Sequence, residues 1–386
     1  MLVLLLVAVC RAESPAADRV RGITWDQSTL RFLGPGVYPR MIRLRDDSIL
    51  FSCDAGGSAM VRRSTDGGAT WSEPVAAASY EHGIAANADL LQLDDGRVLL
   101  FYNERPRRDG RHPFTIRMCT SADGGRTWTA RAEPVYVADM RFANGCWEPA
   151  AVQLPSGEVL LFFANENPYR DTAEQEISLM RSTDRGQTWS PARTFAFRRG
   201  KRDGMPVPAV LADGKTLAVA IEDEGPRARQ RLQPAILRWS VEDANAPLPI
   251  DGTDPRRRSA LGDAITANVY AGAPFLRTLP SGATILSCHS DEGGRRAPQM
   301  VVCVGDADAG GFAQRSAPFE LPADVGGMWN ALFVKNATTV IALTSTKIDG
   351  KRGIWAIDGR VVRDVARTPA PSTAEGTASG RSRSGG

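Results

Sequence analysis

A tandem repeat is the feature of this sequence that most restricts its fold. Five segments align on a turn residue, with leucine three positions before the turn and, in four of the five, proline eight positions before it. The five turn residues are Asp47, Gly96, Gly157, Gly214 and Gly282. A looser sixth copy follows at residues 329–334. Repeats of about 50 to 70 residues form units that stack and share a core, so the 386 residues predict one closed domain rather than two.

Each repeat is built from short apolar runs that are typical of strands. In the third repeat these runs are residues 150–154, 159–163 and 177–181, rich in β-branched and aromatic side chains and separated by turn residues. No amphipathic helical pattern interrupts the series. Six repeats of four antiparallel strands predict an all-β fold, a six-bladed β-propeller. We expect the N-terminal strand, residues 19–32, to complete the sheet of the last repeat and to close the ring.

Three of the third strands lead into the motif S-x-D-x-G-x-T-W, the Asp-box of the sialidase-like superfamily. Its aspartate can accept backbone N–H bonds inside the turn, its glycine supplies a positive φ, and its tryptophan packs beneath the hairpin. The motif residues are Asp66 and Trp71, Asp123 and Trp128, and Asp184 and Trp189. Degenerate copies lie near Asp243 and Asp306. Calcium binding and catalysis are alternatives, but a structural hairpin is the favoured interpretation.

Composition and the chain ends indicate where the protein functions. The formal net charge is +3 and no basic run carries interleaved aromatics, so we predict no nucleic-acid partner. Residues 1–18 contain an apolar run too short to span a bilayer and are predicted to be a signal peptide or leader, which indicates a secreted or periplasmic protein. The propeller is assigned to residues 19–366, and residues 367–386 are predicted to be a disordered tail. We expect a monomer without an integral membrane segment.

The cysteines and histidines do not predict a metal site or a cofactor. The sequence has three histidines, and neither they nor the cysteines show metal-ligand spacing. Cys288 and Cys303 fall on neighbouring predicted strands and could form a disulfide, although buried free thiols are the favoured interpretation.

Strand direction predicts which side chains meet at the centre of the propeller. In a four-stranded meander the start of the first strand and the end of the second lie on one face, whereas the turn between the third and fourth strands lies on the other. Glu148 starts a first strand, and Glu222 ends a second strand in the next repeat. We therefore expect the two carboxylates to converge on one central pocket, opposite the Asp-boxes.

Other side chains are predicted to reach the same pocket and to bind substrate. Glu104 lies eight residues past its turn, as Glu222 does, and Arg40 and Asp89 share the position seven residues before the turn. The remaining aromatic and amide side chains predicted at the rim are Asn87, Trp147, Tyr270, Trp329 and Asn330.

Paired carboxylates in an aromatic-walled cleft are suited to glycoside hydrolysis. One carboxyl group protonates the leaving oxygen, and the other attacks the sugar or activates water. Trp147 beside Glu148 could desolvate that carboxyl group and raise its pKa. A salt-bridged glutamate near a pore is the structural alternative.

Several stretches resemble family 93 of the glycoside hydrolases over residues 20–365. They are Tyr38-Pro39-Arg40, Trp147-Glu148-Pro149, Asp203-Gly204-Met205-Pro206, residues 270–274 and residues 329–334, together with the Asp-boxes. The family comprises retaining exo-α-L-arabinanases on a sialidase-like propeller, which release arabinobiose from the non-reducing end of α-1,5-arabinan. The resemblance implies an oligo- or polysaccharide substrate, Glu148 as acid/base, Glu222 as nucleophile, and Asp203 in the substrate site.

Two alternative functions remain open from the sequence. A true sialidase clamps the sugar carboxylate with three arginines, and here Arg40 is one candidate, with Arg277 and Arg352 as further candidates. A non-catalytic glycan-binding propeller belongs to a different class, and loss of both glutamates would have favoured it.

Overall fold

The computed structural model describes residues 19–140, 144–227, 229–242 and 247–364. These residues form six antiparallel sheets, which confirms the predicted six-bladed propeller. The predicted leader at residues 1–18, the predicted tail at residues 367–386 and Asp243 lie outside the described residues.

The first three blades follow one another along the chain. Blade 1 contains β2 (Val37–Arg43), β3 (Ile49–Ala55), β4 (Ser58–Ser64) and β5 (Val75–Ser79). Blade 2 contains β6 (Gly83–Gln92), β7 (Val98–Pro106) and β8 (Thr115–Ser121), with β9 (Thr129–Ala130) and β10 (Tyr136–Val137) both paired to β8. Blade 3 contains β11 (Cys146–Gln153), β12 (Val159–Asn165), β13 (Glu176–Ser182) and β14 (Arg193–Ala196).

The last three blades complete the ring. Blade 4 contains β15 (Asp203–Val210), β16 (Thr216–Asp223), β17 (Gln233–Ser240) and β18 (Arg257–Ser259), and a 3-10 helix follows at Gly262–Ala264. Blade 5 contains β19 (Ala271–Thr278), β20 (Thr284–Ser290), β21 (Gln299–Gly305) and β22 (Gln314–Ser316). Blade 6 contains β23 (Met328–Val334), β24 (Thr339–Ile348), β25 (Lys351–Arg363) and the N-terminal strand β1 (Val20–Gly34).

Strand β1 closes the ring by pairing antiparallel with β25, in a register that runs from Val20 opposite Arg363 to Gly34 opposite Ile354. The indole N–H of Trp25 also donates to Ser316 Oγ of blade 5 at 2.9 Å. The predicted closure by the N-terminal strand is therefore confirmed.

The repeated leucine fixes the first hairpin of its blade. In blade 2, Leu93 N donates to Arg97 O at 2.8 Å and Gly96 N donates to Leu93 O at 3.0 Å, so the hairpin closes on the leucine backbone. Its side chain is buried in the core between blades 2 and 3. One residue type thus serves both the turn and the packing between blades, which explains its recurrence.

Every first strand contains a β-bulge at the position nine residues before the turn. The bulge residues Tyr38, Asn87, Glu148, Met205, Ala273 and Trp329 have φ between 44° and 56°. In blade 1, Val37 pairs with Asp54 and Arg40 pairs with Ser52, so Tyr38 and Pro39 together oppose one residue. Proline after the bulge residue therefore costs no ladder hydrogen bond, which explains its recurrence in these strands at the inner edge of each blade.

The Asp-box turns lie at the opposite ends of the strands from the bulges. Asp123 accepts hydrogen bonds from Ser121 Oγ, Arg126 N, Thr127 N and Thr127 Oγ1 at 2.6–3.0 Å. These bonds to the ionised form hold the pKa of Asp123 well below its usual range. The same pattern occurs at Asp66 and Asp184, and Asp306 accepts the Gly310 N–H at 2.8 Å in a degenerate copy.

The five described cysteines are buried free thiols, so the alternative disulfide between Cys288 and Cys303 is not formed.

Candidate active site

The bulges position the two predicted catalytic carboxylates. The N–H groups of three bulge residues, Asn87, Met205 and Ala273, donate to a carboxylate of the preceding blade. Met205 N donates to Glu148 Oε2 at 3.2 Å, and Ala273 N donates to Glu222 Oε1 at 2.6 Å. A carboxylate of blade 3 is thus held by blade 4, and a carboxylate of blade 4 is held by blade 5.

Glu148 and Glu222 approach the same peptide unit. Glu222 pairs with Gly204 across β15 and β16, and a Cβ placed on Gly204 would lie 3.0 Å from Glu222 Oε2. The next residue, Met205, donates its N–H to Glu148. Both carboxylates therefore flank the Gly204–Met205 peptide, and glycine at 204 leaves space for one of them.

The two half-buried glutamates line one cleft of about 570 Å³ that is open to solvent. The other lining residues are Trp147, Glu166, Gln175, Arg202, Gly204 and Leu232. The Asp-boxes lie at the far end of the strands, since Ser182 pairs with Val159 whereas Trp147 pairs with Ala164 near the other end of β12. This separation is the one that strand direction predicts.

Burial raises the pKa of both carboxyl groups, and the charge of Glu148 raises that of Glu222 further. Burial is the largest cause for Glu222, and the charge of Glu148 adds to it, so that the pKa of Glu222 rises to about 7 despite the Ala273 N–H and Arg202. Burial also raises the pKa of Glu148, while Arg105, the Met205 N–H, Arg40 and Arg202 oppose it. Both shifts favour the protonated form of the carboxyl groups.

The side chains of Tyr270 and Glu222 lie close together above the backbone of Gly272. A Cβ placed on Gly272 would lie 2.3 Å from the Tyr270 hydroxyl and 2.6 Å from Glu222 Oε1, so these two oxygens meet over the glycine backbone. Burial, followed by the charge of Glu222, raises the pKa of Tyr270, which keeps its hydroxyl protonated beside the cleft. The structure thus places Tyr270 with the carboxylate pair, as predicted.

Trp147 forms a wall of the cleft. Its ring packs against Phe114 with centroids 4.6 Å apart, and the Arg105 guanidinium lies 5.0 Å from its centroid. The indole thus holds a cation near Glu148 as well as excluding water from it.

The prediction that Glu104 shares the position of Glu222 is wrong. Leu211 N bonds to Thr216 O, whereas Leu93 N bonds to Arg97 O, so the hairpin of blade 4 contains one extra residue. Counting from the turn therefore shifts the register by one. The equivalent of Glu222 in blade 2 is Asn103, and Glu104 accepts a hydrogen bond from Thr115 Oγ1 at 2.6 Å and lies 3.5 Å from Arg117.

Asp203 does not reach the cleft, which corrects its predicted place in the substrate site. Its side chain is fully buried and forms two hydrogen bonds with Arg257, at 2.9 and 2.5 Å. Arg257 also lies 3.2 Å from Asp223, which binds Arg198. Asp203 therefore belongs to a buried ionic cluster behind the cleft.

Arg40 and Asp89 line a different cavity, along the propeller axis, so their predicted convergence with the glutamates is wrong. Arg40 is 3% exposed, and its guanidinium lies 3.9 Å from the centroid of the Tyr38 ring. It pairs loosely with Asp89 at 3.8 Å. Arg277 lines the same cavity, whereas Arg352 is exposed on blade 6, so these candidates do not form a three-arginine clamp.

Asn87 and Trp329 line a neighbouring cavity, whose other residues include Tyr38, Asp54, Ile84 and Arg105. Arg105 donates to Asn87 Oδ1. Asn330, the residue after Trp329, is buried, and its main-chain carbonyl accepts a hydrogen bond from Arg40 at 3.2 Å.

Four side chains at these cavities were not predicted from the sequence: Asp54, Arg105, Gln175 and Arg202. Asp54 is the register equivalent of Glu222, and it accepts the Asn87 bulge N–H at 2.8 Å. Counting the hairpin from its strand pairs, rather than from the turn residue, would have found it. Gln175 and Arg202 lie outside the repeat positions, and no sequence signal marks them.

Across the part of the chain that the structure describes, no three histidine, cysteine or acidic side chains are grouped to hold a metal ion. The described residues also include no helix with the length and apolar character needed to cross a membrane.

Comparisons with known proteins agree with the repeat and with the fold. Residues 15–133 match the model of a BNR repeat-like domain, and residues 180–191 match that of the BNR/Asp-box repeat. The second match contains the third Asp-box. A search of the curated proteins found no significant match.

Solved structures of two fungal enzymes share the propeller at low identity. The GH93 α-L-arabinofuranosidase of Fusarium graminearum, in complex with arabinobiose, is 17% identical with a TM-score of 0.63, over 90% of this chain and 97% of that chain. The Penicillium chrysogenum α-L-arabinanase with arabinobiose is 16% identical with a TM-score of 0.63, over 89% of this chain and 98% of that chain.

A sialidase shares the same propeller. The NanB sialidase from Streptococcus pneumoniae is 14% identical with a TM-score of 0.58, over 90% of this chain and 69% of that chain. These similarities establish the sialidase-like fold.

Proposed function

We propose that this protein is a glycoside hydrolase that uses Glu148 and Glu222 as its catalytic pair. The observation that carries the proposal is that these two glutamates, from adjacent blades, flank one peptide and face one open cleft. Burial raises the pKa of both carboxyl groups, and the charge of Glu148 adds to the rise for Glu222, which favours the protonated carboxyl group that acid-assisted attack on a glycosidic bond requires.

The proposed reaction retains the configuration of the sugar. Glu222 attacks the anomeric carbon while Glu148 gives its proton to the leaving oxygen, so that one C–O bond forms as the other breaks. Glu148 then takes a proton from water, and the water oxygen displaces Glu222 from the sugar. Two inversions at one carbon give net retention.

Before a sugar binds, the surrounding charges favour the opposite placement of the proton. Arg105, Arg40 and Arg202 all favour an ionised Glu148, whereas Arg202 alone acts on Glu222. In the free cleft these charges favour the proton on Glu222 over Glu148. The proposed roles require substrate binding to move it to Glu148, where the leaving oxygen supplies a new acceptor.

The proposed substrate is an α-L-arabinofuranosyl oligo- or polysaccharide, cleaved from one end. Two arabinobiose-bound structures share this fold over nearly their whole length. The sialidase alternative loses its main support because Arg40 and Arg277 lie in the axial cavity. Secretion or export, predicted from residues 1–18, is part of the same proposal.

Side-by-side assays of aryl α-L-arabinofuranosides, aryl α-arabinobiosides and aryl sialosides test this function. We expect hydrolysis of an arabinoside with retention, seen by NMR of the first-formed product, and a loss of about 10²-fold or more in kcat for Glu148→Gln and Glu222→Gln. Hydrolysis of the sialoside alone would establish the sialidase alternative. A folded protein that binds glycans and cleaves none would establish the binding propeller.

Azide rescue tests the two roles. With Glu222→Gly, azide should restore cleavage and yield a glycosyl azide of inverted configuration, because it replaces the missing nucleophile on the same face. Rescue with that inverted product from Glu148→Gly instead would exchange the roles of the two residues.

A further inference from the structure

The axial cavity contains more positive than negative charge. It is lined by residues five to seven positions before the turns of blades 1–5, and its charged side chains are Arg40, Arg277 and Asp89. Asp89 Oδ1 lies 3.8 Å from Arg40, beyond hydrogen-bond distance, and Asp89 Oδ2 accepts the Ala151 N–H at 3.2 Å. One carboxylate thus faces two guanidinium groups, and part of its charge is already directed to a backbone amide.

Both guanidinium groups lie near one aromatic ring of the cavity. Arg40 Cζ lies 4.7 Å and Arg277 Cζ lies 4.1 Å from the centroid of Phe275. Burial, together with the charge of Arg40, lowers the pKa of Arg277 to about 10, although Asp89 opposes this shift. Arg277 therefore stays charged at neutral pH and is repelled by the charge of Arg40 in a poorly solvated space.

Arg277 retains unused hydrogen-bond donors. Its one hydrogen bond to the described residues goes from Nη1 to its own main-chain neighbour, Leu276 O, at 2.8 Å. No carboxylate of the described residues lies within 4 Å of its guanidinium. A guanidinium group has five N–H donors, so most of those on Arg277 remain available to a ligand in the cavity.

The cavity is reached from the face opposite the carboxylate cleft. Along β2, the side chains change from buried at Arg40 to half-buried at Ile42 and exposed at Arg43, and β19 likewise becomes more exposed at Arg277. These positions lie toward the hairpin turns. The ring of Tyr38 covers Arg40 on the other side and packs with Met205 and Ala273.

We propose that the axial cavity binds a small inorganic anion between Arg40 and Arg277. The anion accepts hydrogen bonds from the donors of Arg277 that the protein leaves unused and offsets the repulsion between the two guanidinium groups. It thereby links blade 1 to blade 5 across the centre of the ring. This site is separate from the catalytic cleft, so it does not depend on the proposed reaction.

Bromide provides a direct test in the unmodified protein. Crystals soaked in sodium bromide should show an anomalous peak between Arg40 and Arg277, in the axial cavity. Bromide peaks on the outer surface with none in the cavity, in crystals whose solvent reaches that face, would overturn the proposal.

Melting curves test the same site in solution. At equal ionic strength, sodium chloride should raise the melting temperature above that in sodium gluconate by roughly 2 °C or more, and Arg277→Met should abolish the difference. Arg352→Met removes an exposed arginine and should keep this difference in melting temperature.

A response to sulfate rather than chloride, lost in Arg277→Met, would identify an oxyanion as the occupant. An equal response of both variants would contradict the site, and if Arg277→Met does not fold, Arg277→Lys and the bromide peak decide.

Discussion

Position 272 must be glycine because a side chain there would collide with two polar groups of the site. The backbone there has no positive φ, so the requirement for glycine is steric. The position that a Cβ would take lies 2.3 Å from the Tyr270 hydroxyl and 2.6 Å from Glu222 Oε1. A methyl group at this position must displace one of these two groups.

We expect Gly272→Ala to lower kcat by about tenfold or more while the protein stays folded, since a shift of about 1 Å at a reacting group can cost 10²-fold. Steady-state kinetics and thermal melting measure the two effects. Gly22→Ala is the matched control, because a Cβ at that strand position meets nothing within 4 Å. Full activity of Gly272→Ala would show that the oxygens do not need this space.

The raised pKa of Glu222 also predicts a pH-dependent cost to stability. Because the folded-state pKa is about 7 and the ordinary value is 4.5, the folded protein binds this proton more tightly than the unfolded chain. The resulting stabilisation is complete below about pH 4.5 and is lost as the pH rises through 7. The ionised side chain is therefore destabilising at alkaline pH.

Glu222→Gln should accordingly be more stable than the unmodified protein at pH 8, by a difference of the order of 3 kcal/mol, and should lose this advantage as the pH falls from about 7 to about 4.5. Urea unfolding at several pH values measures it. Glu242→Gln changes an exposed glutamate and should show no such trend. A Glu222→Gln variant less stable than the unmodified protein at pH 8 would contradict this prediction. It would show that the contacts of the ionised carboxylate stabilise the fold by more than its burial destabilises it.

At the scale of the element, each Asp-box is a closed hairpin remote from the cleft. The Trp128 indole donates to Gly125 O at 3.2 Å, and a Cβ on Gly125 would lie 2.7 Å from Leu50 of the neighbouring blade. The motif therefore packs its own turn against the preceding blade. Two features therefore require glycine at position 125, the positive φ and the close packing against Leu50.

Asp123→Ala should lower the free energy of unfolding by roughly 1–2 kcal/mol, because four donors inside the turn lose their acceptor and part of that loss is offset by water. The kcat of the folded protein should not change. Asp324→Ala, which removes an exposed aspartate with a 3.7 Å contact to Arg296, is the control. A selective loss of kcat with unchanged melting would place the Asp-box in the reaction.

At the scale of the whole molecule, the ring depends on its first strand. Blade 6 takes three strands from the C-terminal end of the described chain and one from its N-terminal end. Without β1, the edge of β25 would lose its partner and blade 6 its contact with Ser316 of blade 5. Closure is thus a contact between residues more than 300 positions apart, as in the pair Val20 and Arg363.

A chain that begins at residue 35 should fail to unfold cooperatively, because an open ring exposes the edge of β25 and the core beneath it. A synthetic peptide of residues 19–34 should restore the cooperative transition, whereas the same composition in scrambled order should not. Differential scanning calorimetry with and without the peptides measures this. A cooperative transition in the truncated chain alone would show that five blades and an incomplete sixth suffice.

The sequence by itself determined the number of blades, the Asp-box hairpins, the closing strand and the face on which Glu148 and Glu222 lie. These features follow from local periodicity, turn chemistry and strand direction, which residue order encodes. It did not determine which polar side chains share a cavity. One extra residue in the hairpin of blade 4 moved the equivalent of Glu222 from Glu104 to Asn103, and Arg257 holds Asp203 behind the cleft. Only the tertiary structure decided these placements, because the carboxylates are held by N–H groups of bulge residues in the next blade, and the burial that shifts their pKa exists only once the ring is closed.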